Sequence, residues 1–209
     1  MVHHGATQWM IDTYADYFRD RHAWAMPVVA ETYDGVLNDI NGQHVTADHA
    51  ITALNAATSG HVAEGSTGGG NGMICYEFKG GTGTASRQLK LGGETYTLGA
   101  LVQANHGIRP WLNVLGKAVG ELMPEGRLIE QETGSIIVIL GTDAPLSSLA
   151  LRQTAKRAAI GVGRGGSPGG NSSGDIFLAF SVANDHPMPQ QDEAILQRTA
   201  LNSELLDPF

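Results

Sequence analysis

The sequence predicts a single α/β domain, and three observations carry that reading. Of its 209 residues 42% are hydrophobic, enough to bury one core. Segments 7–21, 47–57 and 148–160 place apolar residues at helical spacing. Two short apolar runs, SIIVIL at 135–140 and DIFLAFSVA at 175–183, have the β-branched and aromatic content of strands inside a sheet.

Taken in order, the first element gathers Trp9, Met10, Tyr14, Tyr17 and Phe18 mostly on one face of a helix over 7–21. Pro27 then opens a short extended piece, 28–32. Thr46 suits the N-cap of a second helix, where Ile51, Leu54 and Ala57 share a side. From 73 to 102 the pattern shortens to β-like pieces, 73–78, 86–91 and 94–102, separated by Gly80-Gly81 and Gly92-Gly93, as in a meander or hairpin. The run 135–140 is apolar on both faces, which predicts a central strand covered on each side. Ser147 is placed to cap the helix over 148–160, with Leu151, Thr154, Ala155 and Ala158 inward and Arg152, Lys156 and Arg157 outward. Another buried strand is expected over 175–183. Beyond Asn184 the chain turns polar, carries Pro187 and Pro189, and ends at DPF in what reads as the middle of a helix.

Composition narrows the chemistry. Thirteen Lys plus Arg against 21 Asp plus Glu give a net charge of -8, unsuited to general attraction to nucleic acid. One cysteine, Cys75, cannot form an intrachain disulfide framework or a structural zinc or iron–sulfur site, and reads as a buried apolar residue. No apolar stretch reaches the roughly 18 residues of a membrane span, and the start MVHHGATQWM has no export pattern, so a cytoplasmic location is expected. The 28 glycines cluster at 65–72, 80–83 and 161–174, as in loops with sharp turns or close backbone approach. Residues 161–166 match G-x-G-x-x-G, but with a helix before and a strand after, the reverse of a dinucleotide site. None of the eight histidines forms H-E-x-x-H. No metal or cofactor is expected. Asn171-Ser172-Ser173 matches the glycosylation pattern, an accidental match without an export signal.

The Gly134-Ser135 junction carries more. It follows a polar, unpatterned connection, 124–133, and opens the apolar run. If Gly134 is held in a conformation only glycine tolerates, Ser135 Oγ can attack the Gly134 carbonyl and convert the amide to an ester. Hydrolysis then frees Ser135 as an N-terminus whose α-amine, with an ordinary pKa of about 7.7 to 8.0, can act as base for its own hydroxyl. Taken alone, the dipeptide better suits an ordinary strand-start serine after a turn glycine.

Five strings in order change that balance: PVVAETYDGVLNDING (27–42), GGGNGMICYEFKGGTGTASR (68–87), LVQANHG (101–107), GSIIVILGTDAPL (134–146) and NSSGDIFLAFSVAN (171–184). Together they resemble the self-processing serine aminopeptidases, the family of L-aminopeptidase/D-amidase-esterases and β-aminopeptidases. The resemblance implies an α/β fold of the αββα four-layer sandwich type. It implies hydrolysis of N-terminal residues from small peptides, amides or esters through an acyl-enzyme on Ser135, released by cleavage after Gly134. Ser173 and Asp175 would assist the nucleophile, Asn105 would stabilise the oxyanion, and Glu31 and Tyr33 would bind substrate, the carboxylate pairing with its ammonium. A homo-oligomer of processed units is implied as well.

The resemblance also bears on organisation. Family members carry a long portion, with strands of the sandwich, before the segment matching Met1. The expectation is therefore a single, truncated domain over 1–209 lacking N-terminal strands, with 1–134 and 135–209 as the α- and β-chain parts and unpaired sheet edges prone to misassembly. Two other readings stand beside it: an acyltransferase of the ornithine acetyltransferase type, whose nucleophile is threonine, and an inactive truncated scaffold.

Overall fold

A computed structural model describes residues 1–21, 23–171, 174–183 and 198–209. The first helical region is two helices, α1 (Val2–Thr13) and α2 (Ala15–Arg21), where the sequence predicted one over 7–21. The break falls at Tyr14, whose backbone leaves the helical region (φ -118°, ψ 36°) and whose ring meets Trp9 edge to face at 6.1 Å. The earlier start brings Gly5 into contact with Ala47, the first residue of α3 (Ala47–Asn55), and Trp9 Nε1 donates to Asn55 Oδ1 at 2.8 Å. Thr46 caps α3 as predicted, its own N–H donating to His49 Nδ1 at 3.0 Å. The extended piece expected at 28–32 is part of a stretch without regular secondary structure, 23–34, and Val28 is exposed.

The predicted β-like pieces become a short pair, β1 (Ile74–Cys75) and β2 (Phe78–Lys79), and a long hairpin, β3 (Gly81–Leu91) and β4 (Glu94–Asn105), turning at Gly92-Gly93. β5 (Ser135–Thr142) pairs antiparallel with β4, and β6 (Ile176–Ser181) pairs parallel with β5. The sheet order is β3-β4-β5-β6, with α4 (Ser148–Arg164) as the crossover between the parallel strands. Ser147 caps α4 by accepting from the Ala150 N–H at 3.2 Å. Gly161 and Gly163 lie in the last turn of α4, so the G-x-G-x-x-G string ends a helix instead of opening one.

Strand alternation divides the sheet into two faces. On one, Ile136, Val138 and Leu140 are buried together with Leu98, Val102 and Phe177 against Ala158 and Val162 of α4. The other carries Leu101, Ile137, Ile139, Ile176, Leu178 and Phe180, of which Leu101, Ile176 and Phe180 are exposed and the rest half-buried. Contrary to the expected cover on each side, β5 is central in the sheet but, among the described residues, fully covered on one face only. β6 is also not buried, because it is the last strand of the described sheet and is paired on one side alone. Of a four-layer sandwich, the described residues form one four-stranded sheet with one helix packed on it.

At the far end of the sheet a second core gathers Ala144, Leu146, Ala150 and Leu206, with Tyr96, Leu151, Leu201 and Phe209 packed around them. The C-terminal segment is therefore docked, and the expected helix around DPF is a single 3-10 turn, Ser203–Leu205. The Arg157 guanidinium holds that segment, donating to the Leu206 carbonyl at 2.9 Å. No helix among the described residues is long and apolar enough to cross a membrane.

Candidate active site

The ladder of β4 and β5 ends with Asn105 directly opposite Ser135. Residues opposite one another in a strand pair share a face, so the two side chains leave the sheet on the side away from α4. Both are buried, Asn105 at 5% and Ser135 at 7% exposure, although Leu101, Ile176 and Phe180 on the same face are exposed. Their cover comes from two loops: Asn105 Nδ2 donates to the Tyr33 carbonyl at 2.6 Å, and Asn105 Oδ1 accepts from the Ile74 N–H at 2.8 Å. One side chain thus ties β4 to the segment near Tyr33 and to β1.

A small pocket of about 50 Å³ opens beside this junction, lined in part by Tyr33, Gly72, Asn105, His106, Thr133 and Gly134. Tyr33 contributes a partly exposed ring. Glu31 is exposed and does not line the pocket. Asp175 Oδ1 accepts from the Ile136 N–H at 3.3 Å, which seats the carboxylate one residue from Ser135. Ser173 lies outside the described residues. Of the sequence-predicted site, the structure brings together Ser135, Gly134, Asn105, Asp175 and Tyr33, and leaves Glu31 apart.

Gly134 is required, but not for the reason the sequence suggested. Its φ is not positive, so no conformation reserved to glycine is in use. The requirement is space: a Cβ there would overlap the Asn105 carbonyl oxygen and stand 2.8 Å from His106 Cα. Gly134 lies flat on the peptide that follows the ladder's last pair.

Several polar residues that the motifs did not single out hold this junction. His106 is buried against the edge of Tyr76 at 5.1 Å, and burial lowers its pKa although Asp175 pulls it back up, so the neutral imidazole is favoured. Cys75 has its Sγ 3.8 Å from His106 Nδ1; burial pushes its thiol up to about 11, so it stays protonated and unreactive at neutral pH. Tyr76 and Glu77 turn between β1 and β2 with left-handed backbone, φ 50° and 62°, a costly choice for side-chain-bearing residues. Arg109 secures that turn. Its guanidinium donates to the carbonyls of Tyr76 (3.2 Å), Glu77 (3.1 Å), Met123 (3.2 Å) and Glu125 (2.9 Å), and stacks 3.9 Å over the Phe78 ring. Glu77 completes the hub by accepting from the N–H of Arg109 at 3.0 Å and from that of Leu128. The exposed connection 124–133 is thereby fastened to the residues following β4. No spacing in the sequence pairs residue 77 with 109 and 128, so these contacts become visible only in three dimensions.

Comparison with known proteins supplies the remaining context. The model of peptidase family S58 matches residues 1–209. The chain is 51% identical over 198 residues to the β-peptidyl aminopeptidase BapA of Sphingosinicella microcystinivorans, a match covering 88% of this chain and 50% of that protein. Its counterpart from Sphingosinicella xenopeptidilytica is 46% identical over 176 residues, covering 78% and 44%. Among solved structures, the L-aminopeptidase D-Ala-esterase/amidase of Ochrobactrum anthropi, described as a prototype for the serine aminopeptidases and a new variant among the Ntn hydrolase fold, superimposes with a TM-score of 0.93 at 52% identity. That match covers 100% of this chain and 57% of the other. A β-aminopeptidase from Burkholderia sp. follows at 0.85 and 44% identity, covering 98% and 58%. The chain spans about half the length of the curated relatives it matches. Its fold is the Ntn-hydrolase variant of these serine aminopeptidases.

Proposed function

We propose that this chain, which belongs to peptidase family S58, carries the reacting residues of a self-processing serine aminopeptidase that removes N-terminal residues from small peptides, amides or esters. The observation that carries the reading is the placement of the Gly134-Ser135 bond at the end of the β4–β5 ladder, opposite Asn105 and beside a pocket.

The proposed maturation has two steps. Ser135 Oγ attacks the Gly134 carbonyl carbon; the C–O bond forms, the C–N bond breaks, and the hydroxyl proton ends on the departing Ser135 nitrogen. Water then hydrolyses the ester, leaving a carboxylate on Gly134 and a free hydroxyl and α-amine on Ser135. The parts are 1–134 and 135–209. In turnover the same Oγ attacks a substrate carbonyl, with the neutral fraction of the α-amine taking its proton and passing it to the amine or alcohol that leaves as the scissile bond breaks; water then hydrolyses the acyl-enzyme and restores the hydroxyl. Ser173 and Asp175 assist that transfer. An amide nitrogen carries two hydrogens; Asn105 spends one on the Tyr33 carbonyl and offers the other to the oxyanion. Tyr33 walls the pocket, and Glu31, two residues before it and exposed outside the pocket, pairs with the ammonium of a substrate that reaches beyond it. A homo-oligomer and a cytoplasmic location belong to the same proposal.

Intact-mass measurement on the purified chain tests it directly. The expected result is two fragments meeting at 134/135, a single uncut chain for Ser135→Ala, and release of p-nitroaniline from α- or β-amino acyl p-nitroanilides only by the cut form. An uncut wild-type chain without hydrolysis would sink the proposal.

A further inference from the structure

The β4–β5 pairing stops abruptly at Asn105 and Ser135. On the same register Gly107 would face Thr133, yet the polar groups of residues 106 and 107 point elsewhere. The His106 carbonyl accepts from the Tyr76 N–H at 2.8 Å, and the Gly107 N–H donates to the side chain of Glu132, whose Oε1 lies 2.6 Å away. Gly107 is confined in turn, with φ +84° and no room for a Cβ against the Tyr76 ring. The chain therefore forks at the Gly134-Ser135 bond, and a side chain replaces the ladder on the upstream branch.

We propose that Glu132 is a positioning residue for cleavage of the Gly134-Ser135 bond, acting as a hydrogen-bond acceptor and not as a base. The inference rests on the self-processing reading above. Among the constraints on the bond to be cut are the strand register at Ser135, the seat of Gly134 on the Asn105–His106 peptide and, third, the Glu132–Gly107 bond. The first two hold Ser135 and the Gly134 Cα. Neither holds the chain upstream, where residues 130, 131 and 133 are exposed and free of the ladder. Rotation about the Gly134 backbone would swing the carbonyl away from the line of Oγ attack, and the third constraint opposes that rotation from the upstream side, next to the Glu77–Leu128 bond. Attack within one chain gains its rate from such alignment. Glu132 Oε1 is committed to an amide hydrogen at a short distance, as suits an anchor.

The discriminating pair is Glu132→Gln, which keeps an acceptor oxygen at the same reach, and Glu132→Met, which keeps the length without it. Each chain is synthesised in a cell-free extract, quenched over time and weighed intact. Expected are cleavage within about threefold of wild type for the Gln variant and at least about tenfold slower for the Met variant, the scale of one lost hydrogen bond. Amide exchange is compared between Ser135→Ala and the double variant Ser135→Ala/Glu132→Met, where protection is expected to fall at Gly107 and persist along β4 and β5. Wild-type-like cleavage by the Met variant overturns the inference and leaves the self-processing reading standing. A Gln variant as slow as the Met variant overturns it in favour of proton transfer by the carboxylate. Loss of protection along β4 and β5 overturns it in favour of a structural role. An uncut wild-type chain removes both readings together.

Discussion

The two ends of the β4–β5 pair are held by different physics. Around Ser135, beside apolar Met73, Ile108 and Ile136, four buried polar residues, Asn105, His106, Glu77 and Arg109, tie loops together through backbone carbonyls and N–H groups. At the opposite end, beyond Thr142, Ala144, Leu146, Ala150 and Leu206 bury apolar surface, and Leu146 is 1% exposed. Hydrogen bonds contribute modest net stability but are directional, whereas apolar burial is stabilising and tolerant of small displacements. The polar end is thus suited to setting geometry and the apolar end to setting stability.

On the self-processing reading, substitutions at the two ends should separate these tasks. Leu146→Ala is expected to cost about 3 kcal/mol, because it deletes a fully buried side chain and leaves a cavity. Its urea midpoint should fall clearly, while the rate of self-cleavage, measured well below the unfolding transition, stays near wild type. Arg109→Met should cost less, about 2 kcal/mol, by leaving four carbonyls without their charged donor, yet slow cleavage more than Leu146→Ala does. If cleavage rate simply follows stability across the pair, the division of labour is wrong.

The smallest expected effect is on pH dependence, followed in the uncut Ser135→Ala chain. Burial lowers the His106 pKa, with Asp175 opposing, so below about pH 6.5 the unfolded chain takes up a proton that the folded one resists, and stability declines. Burial raises the Glu77 pKa, but the N–H groups of Arg109, Leu128 and Ile129 and the charge of Arg127 outweigh it and hold the carboxyl below its ordinary range. Its contribution is present above about pH 4.3 and is lost as pH falls through the lower folded value. Urea unfolding from pH 8 to 3 should show a decline at each step, and Glu77→Gln should flatten only the acidic one. A Glu77→Gln chain with an unchanged acidic slope would remove Glu77 as the cause.

Much of this molecule was legible in its sequence where structure is local. The cap at Ser147, the glycine turn of the hairpin and the apolar run of β5 each follow from residue types within a few positions. Errors came where the outcome depended on neighbours: the strand 175–183 has the composition of a buried strand, but its place at the sheet margin leaves it half-exposed. The site shows the same limit. Ser135, Asn105 and Asp175, which the structure sets near one another, were singled out through a shared family pattern, whereas Glu132 sits in a polar connection with no periodicity. Its partner, Gly107, is 25 residues away and offers only a backbone hydrogen.

The seat of Gly134 has one more consequence. On the self-processing reading, the crowding against the Asn105 carbonyl acts only once, because the residue it constrains becomes a chain end and departs. The precursor's choice of acyl group is written into its own packing, while that of the mature enzyme falls to whatever surface the departing end uncovers. Selectivity toward self and toward substrate would then be separate properties, open to independent change by mutation.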